Sequence, residues 1–177
     1  MKNPVRMALS CTVLMASVLF GQTSKGLLCR VDDHVYRGRQ PGRTDIPKLA
    51  AAGIKTVLDL RGSLDRKSWE KTAVETAGMR YIRIGLSGLF APTNSEIDRI
   101  LAILEDPGNA PVFVHCRRGA DRSGMVIACY RIKHDHWTNA QALKEARQQG
   151  FSGLEVLMQE YVRHFHVAAA TANTTSR

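Results

Sequence analysis

An unbroken apolar run, Val112 to Val114, leads through His115 and Cys116 into a basic loop containing Gly119, and then into the apolar stretch Met125 to Tyr130. The first run is short and β-branched, as buried strands are, and the second continues as a helix over Gly124–His134. This strand, turn and helix in immediate succession constrain the chain more than any other feature. The turn aims its backbone N–H groups at one small volume by the helix N-terminus, where the helix dipole attracts anions. Cys116 opens the turn, so its sulfur sits in that positive field, which favours the thiolate. Arg122 closes it with a planar fork suited to two phosphate oxygens. A nucleophile and an anion cradle therefore share one turn, an arrangement for attack on phosphorus. A cysteine merely packed as a small hydrophobe would leave the crowding of Arg117, Arg118, Gly119, Asp121 and Arg122 behind it unexplained.

His115-Cys116, five residues and then Arg122-Ser123 resembles the HC-x5-R-S signature of the cysteine-dependent tyrosine and dual-specificity phosphatases. Rhodanese-type sulfurtransferases are similar but usually have a loop one residue shorter, so the spacing favours phosphate over sulfur chemistry. The resemblance implies a cysteinyl-phosphate mechanism without metal or cofactor. In it Cys116 attacks phosphorus, while Arg122 and the N–H groups of Arg117, Arg118, Gly119 and Ala120 through Arg122 hold the equatorial oxygens. Ser123 hydrogen-bonds the sulfur, and His115 orients the loop. Val35 to Pro41, Gly53 to Arg61 and Gly78 to Ile84 look like the leading strands of small bacterial relatives, so the likeness covers roughly residues 33–160.

The remaining pattern alternates strands with helices. Strands are expected at Val35–Arg37, Ile54–Leu60, Tyr81–Leu86 and Pro111–Val114. Helices are expected after Thr44 or Asp45, at Trp69–Ala77, after a Ser95 cap, after Thr138 or Asn139, and at Gly153–His166. Such alternation predicts a single α/β domain, residues 30–166, with a mainly parallel central sheet flanked by helices. A ligand then sits beyond the carboxyl ends of the strands, where Cys116 lies.

A phosphate monoester also needs a proton for its leaving oxygen. Family relatives typically supply an aspartate from a loop upstream of the cysteine, but here the region Gly85–Glu96 has none and Ser87 takes the place. Asp121, inside the loop, resembles the acid of relatives with a G-x-D-R loop; pairing with a neighbouring arginine is its alternative role. Glu96 is a second candidate, or simply a first-turn acid of a helix. Arg117 and Arg118 beside the cradle favour a ligand with more than one phosphate, such as an inositol phosphate or phosphoinositide head group, unless they point to solvent. Arg37, Arg39 and Arg61 either line the cleft or are solvated.

The net charge of +9 favours anionic partners, either a phosphorylated protein or a polyphosphorylated small molecule. Scattered basic residues and few aromatics argue against nucleic acid. Lys2 and Arg6 followed by the uncharged run Met7–Phe20 read as a signal peptide over residues 1–23, or else an uncleaved anchor. The expected destination is the periplasm or beyond, with no membrane span in the mature form. Residues 167–177 read as a disordered tail. Cys29, Cys116 and Cys129 form neither a zinc pattern nor a disulfide framework, although a disulfide among them is possible after export. His134, His136, His164 and His166 lack a third metal ligand. Two other functions compete with hydrolysis: phosphate binding without turnover, motivated by the missing upstream aspartate, and sulfur transfer.

Overall fold

The computed structural model of the chain describes residues 26–62, 69–152 and 155–167. The 1–23 leader and most of the C-terminal tail lie outside them. Five strands, β1 (Cys29–Arg30), β2 (Val35–Gly38), β3 (Thr56–Asp59), β4 (Arg80–Arg83) and β5 (Val112–His115), form one sheet in the order β1-β2-β5-β3-β4. All neighbours are parallel except β1, which pairs antiparallel with β2. The expected α/β class with a mainly parallel sheet is therefore correct, and the short edge strand β1 is an addition. Its two residues carry too little pattern to be read from sequence.

The helices are α1 (Ile46–Ala51), α2 (Trp69–Thr76), α3 (Asn94–Glu105), α4 (Asp121–His134), α5 (Asn139–Gln148) and α6 (Val156–His164), with a 3₁₀ turn at Arg43–Asp45. Side chains alternate across each strand. Val112 and Val114 of β5 and Leu58 of β3 enter the larger core, with Ile97, Ile100 and Leu101 of α3, residues of α4 from Met125 to Tyr130, Leu143 of α5 and Val162 of α6. Phe113 and Val57 point the other way, into a smaller core with Leu49 of α1 and Val74 of α2. Every residue of β5 and β3 is buried, as expected of central strands covered on both faces.

Two boundaries differ instructively. The cap of α3 is Thr93 rather than Ser95: its hydroxyl accepts the Glu96 N–H at 3.2 Å while Glu96 Oε2 accepts the Thr93 N–H at 2.7 Å. This reciprocal pair satisfies two otherwise orphaned donors. Helix α4 begins at Asp121 rather than Gly124, with the Gly124 N–H already donating to Ala120 O at 2.8 Å. Arg122 and Ser123 thus belong to the first helical turn, which fixes their directions more tightly than a loop would.

Candidate active site

Register places the site. Gly38, His115, Asp59 and Arg83 lie level across β2, β5, β3 and β4 at their carboxyl ends. Cys116 comes immediately beyond, at the mouth of the sheet, as the parallel topology requires. From there residues 116–120 bridge β5 to α4.

Cys116 Sγ accepts the Gly119 N–H at 3.3 Å and lies 3.5 Å from Ser123 Oγ, a hydroxyl wholly buried behind it. Gly119 adopts φ +75°, a left-handed conformation that L side chains disfavour. A β-carbon there would also stand 2.4 Å from Gly38 C and 2.5 Å from Arg39 N. The loop is tied to β2 and the turn after it. Arg37 Nη2 donates to Gly119 O at 3.1 Å and to Gln149 O at 3.2 Å, and the Gln40 N–H donates to Arg117 O at 3.3 Å. Arg37 is buried, so it acts as an internal brace, neither solvated nor a wall of the main cleft.

A cavity of about 550 Å³ opens over the sulfur, lined by Cys116, Arg117, Arg118, Asp121, Arg122, Gly88, Glu155 and Met158. Cys116, the three loop arginines and Asp121 thus meet in one space. Gly119 borders a neighbouring cavity of about 230 Å³ shared with Arg37, Arg39 and Cys29, and Arg118 borders both. Ala120 is the N-cap position of α4. Ser123 Oγ meets the sulfur and His115 Nδ1 meets the Cys116 carbonyl, both from buried positions.

Both oxygens of Asp121 are engaged. Oδ2 accepts from Arg118 Nη2 at 2.5 Å, and Oδ1 accepts the Ser152 N–H at 3.0 Å. That hydrogen bond and the Asp121 charge hold the Arg118 guanidinium above its ordinary pKa. Of the other acid candidates, Glu96 is occupied in capping α3. Ser87 Oγ accepts the N–H groups of Leu89 and Phe90, each at 3.1 Å, and so shapes the turn that carries Gly88 to the cavity. Glu155 is a cavity carboxylate that sequence reasoning missed. It precedes α6 with no motif around it, and only the packing of α6 against α4 and α5 brings it there.

A second missed residue is Glu70. On the far side of β5, Asp59, Arg61, Glu70 and His115 form a cluster that solvent does not reach. Arg61 donates through Nε to Asp59 Oδ1 at 2.8 Å and through Nη2 to Asp59 Oδ2 at 2.7 Å and Glu70 Oε2 at 2.5 Å. His115 Nε2 stands 2.8 Å from Glu70 Oε1, and its Nδ1 faces Cys116 O at 3.2 Å. Arg61 is therefore an interior counter-ion, not a cleft or surface cation. Asp59, Glu70 and His115 are close enough to share a metal ion. The Arg61 guanidinium, hydrogen-bonded to both carboxylates, already supplies the positive charge such an ion would bring.

The three described cysteines are unpaired with one another. Burial pushes the Cys129 thiol strongly up. Burial also raises Cys29, against the opposing charge of Arg37.

A family model described as "DSP-PTPase phosphatase fused to NAD+ Kinase" matches residues 16–164. The "Probable tyrosine-protein phosphatase DG1060" of Dictyostelium discoideum is 26% identical over 147 residues, covering 81% of this chain and 87% of that protein. The "Inositol diphosphatase DSP1" of Oryza sativa subsp. japonica is 32% identical over 111 residues, covering 60% of this chain but only 49% of that protein. The core catalytic domain of the PP-IP phosphatase SIW14 from S. cerevisiae, solved in complex with citrate, superposes with a TM-score of 0.70 at 23% identity, covering 80% of this chain and 86% of that one. That last likeness is one of fold. The family match runs through β5, the loop and α4, where sulfur, buried hydroxyl and arginines converge, and this chain belongs to the cysteine-dependent tyrosine and dual-specificity phosphatase family.

Proposed function

We propose that this chain hydrolyses phosphate monoesters through a cysteinyl-phosphate at Cys116, with polyphosphorylated molecules as its preferred substrates. One observation carries the reading: the Cys116 sulfur, already accepting the Gly119 N–H, forms the floor of a cavity walled by Arg117, Arg118 and Arg122. The thiolate attacks phosphorus, an S–P bond forms as the P–O bond to the leaving group breaks (an ester oxygen, or the bridging oxygen of a diphosphate), and that leaving oxygen takes a proton from Asp121. Water then attacks phosphorus and gives a proton back to the Asp121 carboxylate, the S–P bond breaks, and inorganic phosphate leaves with the thiolate and the acid restored. Arg122 and the loop N–H groups hold the charge that spreads over the equatorial oxygens. Ser123 Oγ, beside the sulfur, favours its departure as thiolate.

The cavity far exceeds a single phosphoryl group, and two exposed arginines flank it, which supports a ligand with a second phosphate. The names of the rice and yeast relatives point to inositol diphosphates, and that of the Dictyostelium relative points to phosphotyrosine proteins. With Arg118 on Oδ2, Asp121 can accept but not donate there. A second substrate phosphate that draws Arg118 away would leave that oxygen open to carry the proton. The test compares wild type with Cys116→Ser, in reductant and chelator, on an aryl phosphate, a phosphotyrosine peptide and an inositol diphosphate. The proposal expects turnover only with Cys116, highest kcat/KM on the inositol diphosphate; equal activity of the two proteins would overturn it. Export is proposed as well, supported by the Lys2–Phe20 pattern. Cell fractionation with N-terminal sequencing of the mature chain tests it, and a cytoplasmic protein retaining residue 1 would refute it.

A further inference from the structure

We propose that Glu70 is a positioning residue for the nucleophile, acting through His115. The inference rests on Cys116 being the reactive thiol. Four ionisable side chains between the sheet and α2 are 0–1% exposed: Asp59, Arg61, Glu70 and His115. Burying such groups is costly, and an apolar filling of the same space is often neutral or better for stability. Folding alone therefore gives no reason for them, whereas their place, ending one residue before Cys116, does.

One hydrogen bond and one close ion-pair contact hold the ring. Cys116 O only accepts, and Glu70 Oε1 is a carboxylate oxygen, yet each faces a different nitrogen of His115, at 3.2 and 2.8 Å. The 2.8 Å contact is an ion-pair distance and not an aligned hydrogen bond: among the described residues neither His115 Nε2 nor Glu70 Oε1 has a hydrogen-bond partner. The doubly protonated imidazole is the form that can offer a proton to each neighbour. The same state balances charge: Asp59 and Glu70 against Arg61 and His115 give a neutral buried quartet. Around it, the Tyr81 hydroxyl donates to Asp59 Oδ2 at 2.6 Å, and Arg83 lies 3.9 Å from the same oxygen while donating to Arg61 O and Gly62 O. Arg37 and Arg118 bear on Cys116 from the loop side. Glu70 thus fixes a cationic ring whose other N–H grips the carbonyl of the nucleophile itself. This orients the first peptide of the loop and adds positive charge beside the sulfur.

Glu70→Gln keeps the shape and removes the charge. Alkylation of Cys116 by iodoacetamide, mapped by mass spectrometry, is followed against pH in wild type, Glu70→Gln, His115→Gln and the double variant. The proposal expects the pH of half-maximal reaction to rise by about one unit in Glu70→Gln, with kcat/KM on an aryl phosphate down about 10- to 100-fold. In the His115→Gln background the further change at residue 70 should have little effect, because the ring through which Glu70 acts is gone. A Glu70→Gln protein that melts lower but keeps the wild-type alkylation profile overturns the inference, as does an undiminished Glu70 effect without His115. Alkylation needs no turnover, so a failure of the hydrolase reading is seen separately in the aryl phosphate assay.

Discussion

Gly119→Ala is the substitution that most directly tests how the loop is held. At φ +75° an alanine is strained by about 1–2 kcal/mol. Its β-carbon would also lie 2.4 Å from Gly38 C, where ordinary contact begins at 3.4 Å, so loop and strand end must separate by the difference, 1.0 Å. All three obstructing atoms, Gly38 C, Gly38 O and Arg39 N, are backbone at the end of β2, so no side chain can swing aside. Overpacking of this kind costs about 1–3 kcal/mol, which with the strain gives a loss of about 2–5 kcal/mol in unfolding free energy. The displacement falls on the residue whose N–H meets Cys116 Sγ and whose carbonyl is braced by Arg37. A misplacement of about 1 Å at such a point lowers kcat/KM by about 100-fold. Urea denaturation and steady-state hydrolysis of an aryl phosphate measure both effects. Gly42→Ala, whose β-carbon would meet only Asp45 Oδ2 at 3.6 Å, is the control and should stay within about 0.5 kcal/mol of wild type. A Gly119→Ala enzyme with kcat/KM within about threefold of wild type would refute the reasoning.

Asp121→Asn should slow an alkyl phosphate by about 100-fold or more while sparing an aryl phosphate with a good leaving group. Equal losses on both would assign Asp121 to anchoring Ser152, with Glu155→Gln the next variant to compare. For Asp59, burial pushes the carboxyl up, but hydrogen bonds from Arg61 and Tyr81 and the charge of His115 outweigh it and hold it below its ordinary value. A depressed carboxylate contributes stability that is fully present above its unfolded pKa and is lost as pH falls from there through its lower folded pKa, so the penalty of Asp59→Asn should be about 3–5 kcal/mol at pH 7 and begin to shrink below about pH 4. Urea midpoints between pH 7 and 3 check this, and a penalty independent of pH would contradict it. Among the described thiols, Cys116 should alkylate first at neutral pH, with Cys29 and Cys129 slow because burial raises both. Peptide mapping that found Cys29 modified first would reverse that ranking.

What the sequence by itself determined is local. The order Cys116, Gly119, Arg122, Ser123 already places sulfur, tight turn, guanidinium and hydroxyl, because backbone geometry over a few residues leaves a strand–turn–helix junction little freedom. Period-two and helical patterns likewise placed β2 to β5 and the main helices, with errors at the start of α3, where Thr93 competed with Ser95 of similar chemistry, and at the start of α4, where no capping side chain marks Ala120. Tertiary structure decided what surrounds that loop. Arg37 and Arg61 read as cations for a cleft or for solvent, yet one braces Gly119 and the other neutralises two buried acids. Nothing near Glu70 in the chain marks it, since its partner His115 is reached only when α2 packs across β3 and β5. Glu155 enters the cavity by the seating of α6, and Gly38 meets Gly119 because β2 pairs with β5 in one register. Contacts across the chain depend on which faces pack together, and packing is a property of the whole fold that no short stretch of residues specifies.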